Sequence, residues 1–72
     1  MTYKFTNSAQ VALETATNLA IKLGHDYVGT EHILYGLVEE PSGVAGRLLE
    51  KQGITSESIL EQIERLIGEN PV

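Results

Sequence analysis

Apolar side chains recur every three or four residues along most of this chain, and glycine or proline interrupts the pattern at short intervals. That spacing places the apolar residues on one face of a helix. Gly24, Pro41 and Gly53 follow such runs and are typical of helix ends. No stretch alternates apolar and polar residues as a half-buried strand does. The sequence therefore predicts an all-α fold of four short helices with tight connections.

The predicted helices begin at residues whose side chains cap helices well. The capping residues are Thr6, Thr30, Ser42 and either Thr55 or Ser56. Phe5 precedes the first cap and is expected to pack as a hydrophobic staple. The predicted limits are Gly24 as the end of helix 1, residues 31–38 and 43–52 for helices 2 and 3, and Gly68 as the end of helix 4. We expect one helical unit over residues 1–68 and a tail or linker over residues 69–72.

The apolar face of helix 1 is rich in alanine, which lets a neighbouring helix approach closely and indicates a central position for this helix. The face comprises Ala9, Ala12, Leu13, Ala16, Leu19, Ala20 and Leu23. Gly36 in helix 2 costs stability relative to alanine, so we expect another backbone to come close there. The predicted inward residues of helices 3 and 4 are Val44, Ala45, Leu48, Leu49, Ile59, Leu60, Ile63, Leu66 and Ile67.

The net charge of −5 argues against nucleic acid as a partner, because only five basic residues are present and they are scattered. The 72 residues contain no cysteine and no glycine-rich phosphate loop, which leaves no thiolate metal site and no ATPase motif. No apolar run approaches the ~18 residues of a membrane span. We therefore expect a cytosolic domain without a bound cofactor.

Polar residues crowd into the connection between helices 1 and 2, which also holds both histidines of the chain. His25, Asp26, Glu31 and His32 would be the residues of a metal-binding or hydrolytic protein. The spacing of the histidines does not match a zinc motif, so hydrogen-bonded structural histidines are favoured. Tyr27 and Val28 are apolar residues in this loop and are expected to fold back onto the core. Tyr35 lies off the helix 2 stripe and is either a contact residue for another chain or a lone exposed tyrosine.

Two positions are candidates for ligand binding. Thr6 opens a helix, where free N–H groups attract anions, and Lys4 could add a positive charge. Glu31 could accept a cationic group. If Thr6 and Glu31 lay close together, they would bind a ligand with one anionic and one cationic end; the alternative at each position is an ordinary helix-terminal residue.

The run Leu23-Gly24-His25-Asp26-Tyr27-Val28-Gly29-Thr30-Glu31-His32-Ile33-Leu34 resembles the amino-terminal repeat of ClpC-type Clp unfoldases. Further matches are Phe5-Thr6, the alanine face of helix 1, Gly36-Leu37, Gly43-Val44-Ala45 and Leu48-Leu49. The resemblance covers residues 4 to about 68. It implies a single four-helix repeat, half of the usual tandem domain, and ATP bound only in ATPase domains that this chain lacks.

The resemblance also implies a non-catalytic module that docks substrates and adaptor proteins of the MecA type and passes substrates to an ATPase ring serving the ClpP protease. In Gram-positive members the domain reads phosphoarginine. At matching positions, Glu31 would hold the guanidinium and Thr6 the phosphate, with Lys4 standing where members usually carry arginine. The alternative is a structural half-domain that binds nothing alone. The departures Thr17-Asn18 and Glu39-Glu40-Pro41-Ser42 bear on adaptor specificity.

A single repeat would leave exposed the face that normally meets its neighbour, and large exposed apolar patches tend to be covered. We therefore predict that the chain self-associates as a symmetric dimer that imitates the tandem arrangement.

Overall fold

A computed structural model describes residues 4–67, which form four α-helices and, within that range, no strand. The helices are α1 (Asn7–Lys22), α2 (Thr30–Glu39), α3 (Val44–Lys51) and α4 (Ser56–Leu66). The all-α prediction is confirmed. Tyr3, the predicted stop at Gly68 and the predicted tail lie outside the described residues. Within the described part, no helix combines the length and apolar character that crossing a membrane requires.

Helix α2 is the central element, because α1, α3 and α4 each pack against it. The expectation that helix 1 would be central is therefore wrong, although its alanine face does allow the predicted close approach. Ala12, Ala16 and Ala20 of α1 are buried, and a side chain on Gly36 of α2 would overlap the carbonyl oxygen of Ala12. The two backbones touch at this crossing, which explains the glycine in a helix interior.

The two helices of this crossing run antiparallel. Tyr35, near the middle of α2, shares a groove with Leu19 and Leu23 towards the end of α1. Leu37, further along α2, shares a different groove with Ala9 at the start of α1. The carboxyl end of α2 therefore lies beside the amino end of α1.

Side chains of α1 and α4 meet in the apolar core. The cluster consists of Leu19, Leu23, Ile59 and Ile63, surrounded by the partly buried Tyr35, Val38, Ile54 and Leu60. Tyr35 therefore packs against the core, which is neither of the two roles considered for it. Gly46 of α3 is also buried, and a Cβ there would lie 2.8 Å from the carbonyl oxygen of Glu40. Helix α3 thus seats its backbone on the end of α2.

Two of the predicted caps are confirmed and two are wrong. Thr6 accepts a hydrogen bond from the Ala9 N–H, and Thr55 accepts one from the Ser58 N–H. Helix α2 begins one residue early, so Gly29 is its N-cap instead of Thr30. Helix α3 is capped by Gly43, one residue after the predicted Ser42, whose hydroxyl donates to Glu40 over 2.7 Å.

Several residues predicted to point inward are exposed. Leu66 is 80% exposed, Val44 64%, Leu48 59% and Ile67 48%, and the expected staple residue Phe5 is 65% exposed. The Cα positions extend over 36 × 33 × 16 Å, so the molecule is flattened. The outer faces of α3 and α4 carry apolar stripes because of their periodicity, but no further helix among residues 4–67 packs over them.

Candidate functional site

The α1–α2 connector (residues 23–29) is held to α2 by a chain of hydrogen bonds through both histidines. The Gly29 N–H donates to Nδ1 of His32 over 2.8 Å, and Nε2 of His32 lies 2.7 Å from Nδ1 of His25. Since Nδ1 of His32 accepts, its proton is on Nε2, which donates to His25. Nδ1 of His25 therefore accepts, and its proton is on Nε2. Both rings are neutral, each in the Nε2–H tautomer.

The two rings are buried beneath Tyr27. His32 is fully buried and His25 is 8% exposed. The Tyr27 ring stacks on His25 with centroids 5.3 Å apart and meets His32 edge-on at the same distance. Tyr27 thus folds back onto the two rings but remains 44% exposed, and Val28 is 45% exposed, so the predicted return of this loop to the core is only partial. The geometry supports structural histidines, and among residues 4–67 no cluster of three or more potential ligands could hold a metal ion.

Glu31 lies in the first turn of α2, beside this histidine pair, and is partly exposed. The Tyr27 hydroxyl donates to its Oε2 over 3.0 Å. Hydrogen bonding from its own backbone N–H, and then from Tyr27, lowers the pKa of Glu31 despite partial burial. Nδ1 of His32 is 3.9 Å from Oε2, but this is no ion pair because that nitrogen carries no proton. Glu31 is therefore an oriented, ionised carboxylate that can accept a cation.

Thr6 lies at the exposed amino end of α1, and its side chain already has two partners. Its Oγ1 accepts from the Ala9 N–H over 3.1 Å and lies 3.3 Å from the Ser8 hydroxyl. Lys4, two residues before it, is exposed. Thr6 borders a groove of about 300 Å³ that also includes Leu37 and Glu40 at the carboxyl end of α2. The N–H groups of the first turn and the nearby lysine make this end of α1 suitable for an anion.

The structure does not bring Thr6 and Glu31 together. Helices α1 and α2 cross where Ala12 meets Gly36. Because the helices are antiparallel, Thr6 and Glu31 lie on opposite sides of this crossing. Thr6 lies six residues before Ala12 and Glu31 five residues before Gly36, about 9 Å and about 8 Å of helix respectively. One small ligand cannot bridge them within a single copy.

Glu31 borders a second groove, of about 540 Å³, between α2 and α4. The groove is lined by Leu34, Ile54, Ser58, Ile59, Gln62, Ile63, Leu66 and Ile67, so Glu31 is its one charged lining residue. Sequence reasoning missed this groove. In the sequence, the groove is indicated by its α4 lining residues, which occupy positions 58–59, 62–63 and 66–67. This spacing of four residues places them on one face of the helix.

A central helix flanked by three others, with an apolar groove beside the α2–α4 contact, defines a small helical interaction module. The family of the Clp repeat (R) N-terminal domain matches residues 4–72, and the chain belongs to that family. The resemblance inferred from the connector sequence is thereby confirmed, as is the single-repeat fold.

Two relatives illustrate the similarity. The chain is 45% identical over 65 residues to the ATP-dependent Clp protease ATP-binding subunit ClpC of Staphylococcus aureus (strain USA300), which covers 90% of this chain and 8% of that protein. It is 46% identical over 65 residues, with the same coverage, to the ClpC subunit of Staphylococcus saprophyticus subsp. saprophyticus. The chain therefore spans less than a tenth of the length of these relatives.

Proposed function

We propose that this chain is a non-enzymatic docking module of a cytoplasmic Clp chaperone–protease. It receives substrates and adaptor proteins of the MecA type, for transfer to an ATPase ring that serves the ClpP protease. The observation that carries the proposal is the oriented Glu31 carboxylate, which is ionised, partly exposed and placed at the edge of an apolar groove. Similarity to ClpC subunits over 90% of the chain supports the same role. No cofactor is required in this chain for docking.

The ligand we propose is phosphoarginine on a marked protein. Its guanidinium would pair with the Glu31 carboxylate, and its phosphate would accept hydrogen bonds from the amino end of α1 at Thr6, beside the Lys4 ammonium. Charge-assisted contacts of this kind are stronger than neutral hydrogen bonds. Lysine supplies charge but not the bidentate geometry of arginine, so Lys4→Arg should tighten phosphate binding.

Because Thr6 and Glu31 are on opposite sides of the α1–α2 crossing, a complete site requires two copies of the repeat. In a symmetric pair, the Thr6 end of one copy would meet Glu31 of the other. The exposed apolar residues Leu34 and Leu66 provide a surface for such pairing, since contiguous exposed apolar patches commonly mark interaction sites. The symmetric dimer thus belongs to the same proposal.

Calorimetric titration of phosphoarginine into the wild type tests the proposal, with Glu31→Gln, Thr6→Ala and unmodified arginine as comparisons. In Glu31→Gln, the glutamine keeps an acceptor for the Tyr27 hydroxyl and removes only the charge, so this variant isolates the effect of the charge. We expect binding that either substitution weakens at least about tenfold, since each removes a charge-assisted contact. Sedimentation of the same samples should show a dimer whose population rises with ligand. A folded chain that binds neither compound contradicts the phosphoarginine proposal.

The separation of Thr6 and Glu31 also favours a second function. A repeat whose half-sites cannot act together would serve as a scaffold that positions the neighbouring repeat and binds no ligand alone. A strictly monomeric, non-binding chain that gains phosphoarginine binding only when fused to a second repeat would support this alternative.

A further inference from the structure

Two hydrogen bonds link Gly29 to His32 and His32 to His25, and each of them holds one proton. One is the Gly29 amide proton, and the other lies between Nε2 of His32 and Nδ1 of His25. Nε2 of His25 already carries its own proton in this tautomer. A proton added to either ring must therefore enter one of the two hydrogen bonds.

Each possible position of that proton breaks a contact. A proton on Nδ1 of His32 faces the Gly29 N–H, so two donors oppose each other. If His25 instead takes the proton on Nδ1, it faces the Nε2–H of His32. His32 could relieve this clash only by shifting its own proton from Nε2 to Nδ1. There the proton would again face the Gly29 N–H. The closed connector is thus compatible with two neutral rings and incompatible with one charged ring.

We infer that the His25–His32 pair is a pH-sensitive switch, which holds the α1–α2 connector closed while both rings are neutral and opens it when the pair takes up a proton. The contact at stake is the hydrogen bond from Gly29 to His32. Glycine has no side chain with which to cap α2, so the ring of His32 is the side-chain partner of the Gly29 backbone at this helix start. This inference concerns the connector alone and does not depend on phosphoarginine.

Glu31 is a charged side chain whose carboxylate interacts electrostatically with both rings of the pair. Glu31, on the same helix, and His25, in the connector, both shift the pKa of His32, whereas Asp26 shifts the pKa of Tyr27. Four charged residues of the other helices border different grooves. Lys22 of α1 and Glu64 of α4 border the groove beside Tyr35, and Arg47 and Lys51 of α3 border a groove with Val44 and Leu48. Glu57 of α4 acts on Tyr35.

Burial is the largest effect and lowers the pKa of His32; the Glu31 carboxylate opposes it with a smaller effect, and the neighbouring His25 adds a lowering that is smaller still. The folded state binds a proton on His32 less readily than the unfolded state does. The stabilisation from the neutral pair is therefore complete above the ordinary histidine pKa, and it is lost as the pH falls from there through the lowered pKa of His32. The switch therefore opens on acidification.

Opening has a direct consequence for Glu31. Tyr27 stacks on His25 and donates to Glu31, so movement of the connector withdraws the hydroxyl that orients this carboxylate. The switch thereby couples the protonation of buried histidines to a partly exposed anionic side chain.

NMR of the full chain tests the switch between about pH 7.5 and about pH 5, the range in which histidines titrate. Ring ¹⁵N shifts should show both histidines as Nε2–H tautomers at the upper pH. On acidification, the protection factor of the Gly29 amide should fall about tenfold or more, while the Gly36 amide at the α1–α2 crossing stays protected. The Tyr27 ring signals should shift with the same midpoint, below the ordinary histidine value.

The variant His32→Asn is the matched comparison, because its amide oxygen can accept from the Gly29 N–H but does not titrate. We expect its Gly29 protection to be independent of pH. Independent titration of the two histidines with an unchanged Gly29 amide overturns the switch, as does loss of Gly29 and Gly36 protection in one global unfolding step. These wild-type measurements decide the question even if the variant does not fold.

Discussion

The α1–α2 crossing and the outer faces of α3 and α4 are built in opposite ways. At the crossing, small residues bring two backbones into contact, and Ala12, Ala16 and Gly36 are buried. On the outer faces, large apolar side chains such as Leu48 and Leu66 remain more than half exposed. The part of the molecule with the smallest side chains is the most closely packed, and the part with large ones is the most open.

This contrast separates stability from binding. Close-packed interiors tolerate little change in volume, so the crossing determines whether the repeat folds. The exposed faces add little to the stability of one copy, but they offer apolar surface to a partner. Substitutions at the two regions should therefore differ in size and in the property that they change.

The largest effect is expected from Gly36→Ala. The new Cβ would overlap the backbone of Ala12, which cannot move aside as a flexible side chain can. Overpacking of this kind should destabilise the fold by about 3 kcal/mol or more, a large part of the stability of so small a domain. Urea unfolding followed by circular dichroism measures it. Gly43→Ala is the control, since its Cβ would meet nothing closer than the Glu40 carbonyl oxygen at 3.5 Å, an ordinary van der Waals contact. Equal stability of both variants would contradict the packing account of the crossing.

A second comparison uses two apolar residues of α4 on the same groove. Ile63 is 4% exposed and Leu66 is 80% exposed. Ile63→Ala should cost about 2–4 kcal/mol through lost burial and a cavity, whereas Leu66→Ala should change the free energy of unfolding by less than about 0.5 kcal/mol. Thermal unfolding at low concentration measures both. A large loss in the Leu66 variant would mean that this side chain is already covered in solution.

The helices themselves were predictable because their signals are local. Thr6 and Thr55 cap helices through a hydroxyl that reaches a backbone N–H only three residues away. Gly29 was missed as a cap because its partner is a histidine ring, and no general preference marks histidine for that position. The exposure of Val44 and Leu48 was not predictable either, since periodicity gives the direction of an apolar face but not what packs against it.

The candidate site was predictable residue by residue but not as an arrangement. A carboxylate in the first turn of a helix and a threonine at a helix start are visible in sequence, and the resemblance to ClpC-type repeats assigned them roles. Their separation depends on the antiparallel crossing at Gly36, which is a tertiary contact. The histidine chain likewise depends on the fold of the connector, which brings His25 within 2.7 Å of His32.

An intermediate effect is expected at the start of α4. Thr55 and Ser58 hydrogen-bond to each other's backbone N–H groups, each over 3.1 Å. Thr55→Ala removes one of these contacts and should cost about 1 kcal/mol. Urea unfolding checks the value, and Thr30→Ala is the control because Thr30 follows the N-cap and does not occupy it. A larger loss at Thr30 than at Thr55 would show that the start of α2 has been misplaced.

The smallest effect on stability should occur on the outer face of α3, where two adjacent leucines allow a matched test. Leu48 is 59% exposed, and Leu49 is partly buried. Leu48→Ser should change the free energy of unfolding by less than about 0.5 kcal/mol, because the side chain has little burial to lose. Leu49→Ser should cost clearly more, since it removes packing. If Leu48→Ser leaves the monomer intact but lowers dimer formation in sedimentation, the outer face of α3 is part of the binding surface. If it does neither, the α2–α4 groove beside Glu31 remains the surface through which this repeat meets its partner, and Leu34→Ser becomes the informative substitution.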